Sequence, residues 1–277
     1  RCDCTRLMSL GRLLVLAALA CASSLRVDAP KPLVKSSLLK LRGGGVLESF
    51  EALPTVTKVG VSLYSLVGAA TYISPKGNLA GYGVTDVSAD ALAFMRGVGA
   101  WQLALACLLV APAADAHAYA HLLAAAAIFL TAPSFEILGG PKEPAVVWIA
   151  ILKVIGVFAL KGKVPPVVAA VLFLANGLHA YLAPKAAADM YKVAIPVSPL
   201  GYSLYSLQGQ QMILGGLYVA LLIAGQSATS AFGYTMLANG AFAAKWALTE
   251  AEQLGCPKEA GFGWSVLSIA LGGLSLK

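Results

Sequence analysis

Charge is scarce in this chain. Only 12% of its 277 residues are Asp, Glu, Lys or Arg, while 58% are hydrophobic, and the mean hydropathy is +0.77. A soluble domain carries about 25% charged residues. A water-soluble globule of this size is therefore excluded, and so is a disordered chain, which would be polar and charge-rich. Cysteine is sparse as well: five residues without pairing spacing do not make a disulfide scaffold. There are three histidines, and the i, i+4 pair His117 and His121 lacks the Glu of an H-E-x-x-H zinc site. Gly43, Gly44 and Gly45 lead into no Lys-Ser/Thr, so no phosphate-binding loop is present. No CxxC and no Ser/His/Asp order stands out in the apolar region. No catalytic residue, no metal and no cofactor is assigned on these grounds.

What remains is an all-α integral membrane protein, with the lipid bilayer as its first partner. The net charge of +7 does not alter this. Arg1, Arg6, Arg12, Arg26, Lys31, Lys35, Lys40 and Arg42, against Asp3 and Asp28, place +6 of it before residue 45. The remainder is close to neutral, and nucleic-acid binding has no support.

Residues 1–45 read as a leader. Met8 is a plausible start. Arg12 then supplies a basic n-region, residues 13–20 an apolar stretch too short to span, and Ala20-Cys21-Ala22 a small-residue cleavage site. The segment 26–45 is basic and acid-poor, as transit peptides are. A signal followed by such a segment, ending in Leu41-Arg42-Gly43-Gly44, resembles the bipartite leaders of algae with complex plastids. That resemblance implies a plastid destination, and the alternative is an endomembrane of the secretory pathway. Cys2, Cys4 and Cys21 fall in this leader, leaving Cys107 and Cys256 as free thiols.

From residue 54 onward apolar stretches recur between Pro- and Gly-rich breaks. They predict eight membrane helices at about 55–74, 89–111, 115–132, 145–161, 165–182, 202–225, 227–248 and 260–276. The same chain carries an internal repeat. Tyr72, Pro75 and Lys76 recur as Tyr181, Pro184 and Lys185, and Tyr82 and Val84 as Tyr191 and Val193, at an offset of 109. Glu136, Pro141, Lys142, Glu143 and Trp148 recur as Glu252, Pro257, Lys258, Glu259 and Trp264, at an offset of 116. The reading is a tandem duplication of a four-helix unit, residues 46–162 and 163–277, with both copies in the same orientation because each has an even number of spans. Gly97, Gly99, Gly209, Gly215, Gly216, Gly233 and Gly240 are expected where helices approach closely. The repeated Pro-Lys-Glu and Tyr-x-x-Pro-Lys fit helix ends, with the Tyr and Trp residues in an aromatic belt. Loop lysines and arginines favour an N-terminus on the cytosolic or stromal side.

The stretch from Pro75-Lys76 through Gly81-Tyr82-Gly83 to Phe94-Met95-Arg96-Gly97-Val98-Gly99-Ala100-Trp101-Gln102-Leu103-Ala104-Leu105 resembles small four-helix membrane proteins related to the DoxX-like group. The resemblance implies a four-helix membrane unit and no particular chemistry. The second unit departs from it, with Leu207-Gln208-Gly209-Gln210 where Arg-Gly-x-Gly would fall.

Polar groups inside spans are costly and so are the candidate sites. Arg96 and Lys153, with Gln208 and Gln211, are the candidate substrate-binding residues. Arg96 either grips an anion or snorkels and pairs with Asp86 or Asp90. Lys153 asks for a carboxylate such as Glu136 or Glu252. Gln208, Gln210, Gln211, Asn176 and Asn239 are inter-helix hydrogen-bond formers or the lining of a cavity. His121 and His179 are the candidate cofactor ligands, haem or pigment. Three functions follow: a non-enzymatic accessory or scaffold protein with possible membrane-protein partners, a small-solute transporter with a path between the repeats, and a haem- or pigment-binding protein.

Overall fold

The computed structural model describes residues 49–277, so the expected leader lies outside the described residues. Among the described residues there are helices and no strand. The helices are α1 (Thr55–Ile73), α2 (Pro75–Gly81), α3 (Ala89–Leu108), α4 (Ala116–Ile137), α5 (Glu143–Leu160), α6 (Val167–Leu182), α7 (Pro184–Met190), α8 (Pro199–Ile223), α9 (Ala228–Thr249) and α10 (Lys258–Ser275). The long ones fall on the predicted segments. α4 runs five residues past its expected end at 132, because Pro133 is accommodated inside the helix. The apolar runs do not predict the short α2 and α7.

Local chemistry explains these boundaries. Pro75 and Pro184 each open a helix at its first turn, where the missing N–H costs nothing, and so end the helix before it. The result is a bend of 110° between α6 and α7. Ser198 caps α8 by accepting from Gly201 N (3.0 Å), and Ser227 caps α9 by accepting from Ser230 N (3.1 Å). Gly139, Gly162, Gly225 and Gly255, with φ from 67° to 84°, carry the chain out of α4, α5, α8 and the turn after α9.

Five helices (α1, α3, α4, α5 and α8) are long and apolar enough to cross a membrane, and the bent pair α6–α7 makes a sixth. The last two expected segments, α9 and α10, have the length but fall short of that apolarity. Ser230, Thr235, Asn239 and Lys245 dilute α9. α5 shows the opposite extreme. Val146, Val147, Ile151, Val154, Val157 and Phe158 are all exposed on it, and only Leu152, Gly156 and Ala159 are buried. A helix this apolar on its outer side is matched to hydrocarbon rather than water.

Glycines set the helix crossings. A Cβ on Gly99 would stand 2.5 Å from Tyr72 N and 2.7 Å from Gly68 O, so α1 and α3 touch backbone to backbone. A Cβ on Gly209 would stand 2.7 Å from both Gly177 O and Tyr181 N, where α8 crosses α6. Close approach of this kind substitutes van der Waals contact for the hydrophobic drive that lipid removes.

α3 and α8 pack together at the centre. The loops after α1, α4, α6 and α9 meet at one end: Ser88 Oγ lies 3.3 Å from Ser198 Oγ, Leu138 O accepts from Ala194 N at 3.0 Å, and Tyr82 meets Trp264. At the other end Asp115, His117, Lys163 and Pro165 line a common hollow. Successive long helices therefore run in alternating directions.

Candidate functional site

The glutamines predicted as ligands bond to other helices. Gln208 Nε2 donates to Phe94 O (2.8 Å), linking α8 to α3. Gln211 Oε1 accepts from the Tyr64 hydroxyl (2.5 Å), linking α8 to α1. Gln210 Nε2 donates to Asn239 Oδ1 and Asn239 Nδ2 to Ser268 Oγ, both at 2.9 Å, so one chain of bonds runs from α8 through α9 to α10. Asn176 bonds within its own helix, to Leu172 O at 2.8 Å. Inter-helix bonds of this type contribute about 0.6 kcal/mol each. Their larger effect is registry, since each fixes the rotation of one helix against another.

The cations are not gathered with them. Arg96 and Lys153 are half-buried, have no ion pair, and line neither of the two large cavities described below. The carboxylates expected beside Lys153 go to lysines close by in sequence instead: Glu136 to Lys142 (2.9 Å) and Glu252 to Lys258 (2.5 Å). Asp90, offered as a partner for Arg96, is taken by Ser198. Local pairing wins because the two partners of each pair flank the same short turn, six residues apart.

The histidines are separated too. His121 is completely buried in α4, its ring edge-on to Phe173 at 6.5 Å between centroids, and neither nitrogen has a hydrogen-bond partner. His179 is exposed on α6 and lines a cavity that His121 does not reach. Among the described residues no three His, Cys, Asp or Glu side chains come together to hold a metal. Cys107 and Cys256 are buried free thiols.

Two cavities flank the α3–α8 contact. The larger, about 290 Å³, lies between α3, α4, α5, α6 and α8 and is walled by Trp101, Phe135, Trp148, Phe173, Tyr191 and Tyr205. The smaller, about 130 Å³, lies between α1, α3, α8, α9 and α10 and includes Tyr64, Tyr82, Gln102, Gln210, Gln211 and Trp264. Tyr82 and Tyr191 follow α2 and α7 at the loop end, and burial raises the pKa of both phenols above the ordinary value. At the mouth of the smaller cavity the Trp264 indole donates to the Tyr82 hydroxyl at 2.9 Å. Trp148 and Tyr191 both border the larger cavity and share no such bond. All four aromatics are repeated positions in the sequence, where the pattern alone assigns them to an interfacial belt. Tyr205 carries no signal, because a lone aromatic in an apolar helix reads as core, and Trp101 stands out only within the stretch that resembles the DoxX-like group, which implies no chemistry for it.

Gln208 is the one predicted ligand that borders the larger cavity together with His179, while Gln211 borders the smaller. No known protein family, curated protein or solved structure matches the chain.

Proposed function

We propose that this chain is a non-enzymatic polytopic membrane protein, two four-helix units in tandem with eight crossings, serving an accessory or scaffold role in a plastid or endomembrane. The observation that carries the reading is the use made of its polar side chains. Gln208, Gln210, Gln211 and Asn239 each bind another helix, so the groups that would line a solute path act as fasteners.

Paired contacts support the duplication. The Gly68–Gly99 crossing has its counterpart in Gly177–Gly209, at offsets of 109 and 110. Gly156 faces Leu122 and Ala118 as Gly272 faces Leu237 and Gly233, at offsets of 116 and 115. Ser88 and Ser198, equivalent at 110, touch each other, as two copies of one residue do where a twofold axis passes between them.

Eight crossings put positions 76, 192 and 258 on one side and 163 and 226 on the other. Cysteines introduced there and labelled by a membrane-impermeant maleimide test this directly. If position 258 labels with 163 instead of with 76, α9 does not cross. Reconstituted vesicles are expected to show no solute flux; a flux lost on replacing Gln208 while the fold persists would overturn the scaffold reading.

A further inference from the structure

We propose that the larger cavity is a binding site for a neutral, single-chain amphiphile with a carbonyl-bearing head, entering from the bilayer between α5 and α6. The inference rests on the bilayer reading and goes beyond the scaffold role. Trp101 and Tyr205 are each only 7% exposed and both line this cavity. Neither the indole N–H of Trp101 nor the hydroxyl of Tyr205 has a hydrogen-bond partner, yet neither atom is sealed against protein. An N–H or O–H in an apolar enclosure without an acceptor is costly. Trp offers a donor only, so the missing partner is an acceptor, as ester and ketone oxygens are.

In the smaller cavity three polar pairs form across helices, Tyr64 with Gln211, Gln210 with Asn239, and Trp264 with Tyr82, while Gln102 and the Asn78 side-chain carbonyl have no partner there. α10 also packs on α1 and closes that side. Around the larger cavity the corresponding closures are absent: α5 packs on α4 but has no packed interface with α6, and Trp148 stays unbonded. Val147 and Ile151 on α5 and Val171 and Leu178 on α6 are exposed apolar residues, which suits a hydrocarbon tail lying along these two helices.

Charge selects against an ionic head. The one lysine on the wall, Lys142, is already paired with Glu136 at 2.9 Å. At about 290 Å³ the cavity is at the lower end of the roughly 300–1,000 Å³ typical of ligand sites, which suits one head and the start of one chain.

The test uses the full chain in phosphatidylcholine vesicles and a monoacylglycerol brominated on its chain, since bromine quenches tryptophan fluorescence. Saturable quenching at low mole fraction is expected, from Trp101 and Trp148. Tyr205→Phe should raise the half-saturating mole fraction by roughly three- to tenfold, the worth of one hydrogen bond. Ala132→Phe, on the cavity wall, should remove the saturable component; Gln102→Leu, in the other cavity, should leave it unchanged. Quenching that only tracks mole fraction, or is equal for brominated phosphatidylcholine or a brominated fatty-acid anion, overturns the proposal. If Tyr205→Phe does not fold, the unmodified chain and Ala132→Phe decide the matter. A negative result here leaves the maleimide pattern of eight crossings untouched, so the two readings fail separately.

Discussion

Asp90 Oδ2 accepts two hydrogen bonds from a single residue, the backbone N and the hydroxyl of Ser198, both at 2.7 Å and 108 residues along the chain. This joins the first turn of α3 to the cap of α8, because Ser198 Oγ also accepts from Gly201 N. Asp90 is 4% exposed and the Ser198 donors are part-buried, so removing the carboxylate leaves both donors without their partner. Asp90→Ala should destabilise by about 2–3 kcal/mol, and Ser198→Ala by less. Unfolding in detergent measures both, and the double variant should lose less than the two singles added. Strict additivity would mean that the pair does not couple the helices.

Lys192 sits at φ 51°, in the loop position that Gly83 fills at φ 78° after the equivalent tyrosine. A side chain in that region costs about 1–2 kcal/mol, and glycine relieves it. Lys192→Gly should therefore raise the thermal midpoint, and Gly83→Ala should lower it. The opposite order would show that Lys192 gains from a contact that outweighs its strain.

Gly99 and Gly209 stand at backbone contacts with no room for a methyl, whereas Gly263 and Gly273 have nothing within 4 Å of a built Cβ. Gly99→Ala and Gly209→Ala should each cost about 1–3 kcal/mol by forcing helices apart. Gly263→Ala and Gly273→Ala should be neutral or slightly stabilising, since alanine is the better helix former. Comparing the four variants by detergent unfolding separates packing from propensity.

Cys256 lies in the turn before α10, and burial raises its thiol pKa above the ordinary value. The thiolate is the reactive form, so at a given pH less of it is present than in a free cysteine. Alkylation at Cys256, followed by peptide mass, should be slow near pH 8, accelerate only at higher pH, and become ordinary once the chain is unfolded. Fast labelling of the folded chain at pH 8 would contradict the buried placement.

His121 is completely buried, edge-on to Phe173, with both ring nitrogens unpartnered. Removing buried polar atoms that bond to nothing is favourable, so His121→Leu should preserve or increase stability, by up to about 1–2 kcal/mol. A haem or pigment ligand would behave otherwise. The purified chain should then show no visible absorption band that depends on His121 or His179.

Much of the fold was legible because it is written locally. Spans follow from apolar runs, and their ends from Pro75, Pro184 and the glycines at positive φ. The short helices α2 and α7 escaped because seven residues between a proline and a tyrosine carry no usable period. The sites were less legible. Lys153 seemed to need Glu136 or Glu252, yet Lys142 and Lys258 hold those carboxylates from six residues away. Gln208 and Gln211 were recognisable as bond formers but not their partners, which lie 114 and 147 residues distant.

The sequence by itself determined that the chain is apolar, helical and parcelled into long segments with recurring breaks, since composition, period and backbone stereochemistry act within a few residues. Tertiary structure alone decided which polar groups are satisfied. It paired Asp90 with Ser198, tied Tyr82 to Trp264, and left Trp101 and Tyr205 facing an open cavity. Those outcomes depend on how helices far apart in sequence cross. The crossings are set by backbone contact at Gly99 and Gly209; the sequence marks these glycines as close-approach positions but not the partners they meet, Gly68 and Tyr72 for one and Gly177 and Tyr181 for the other.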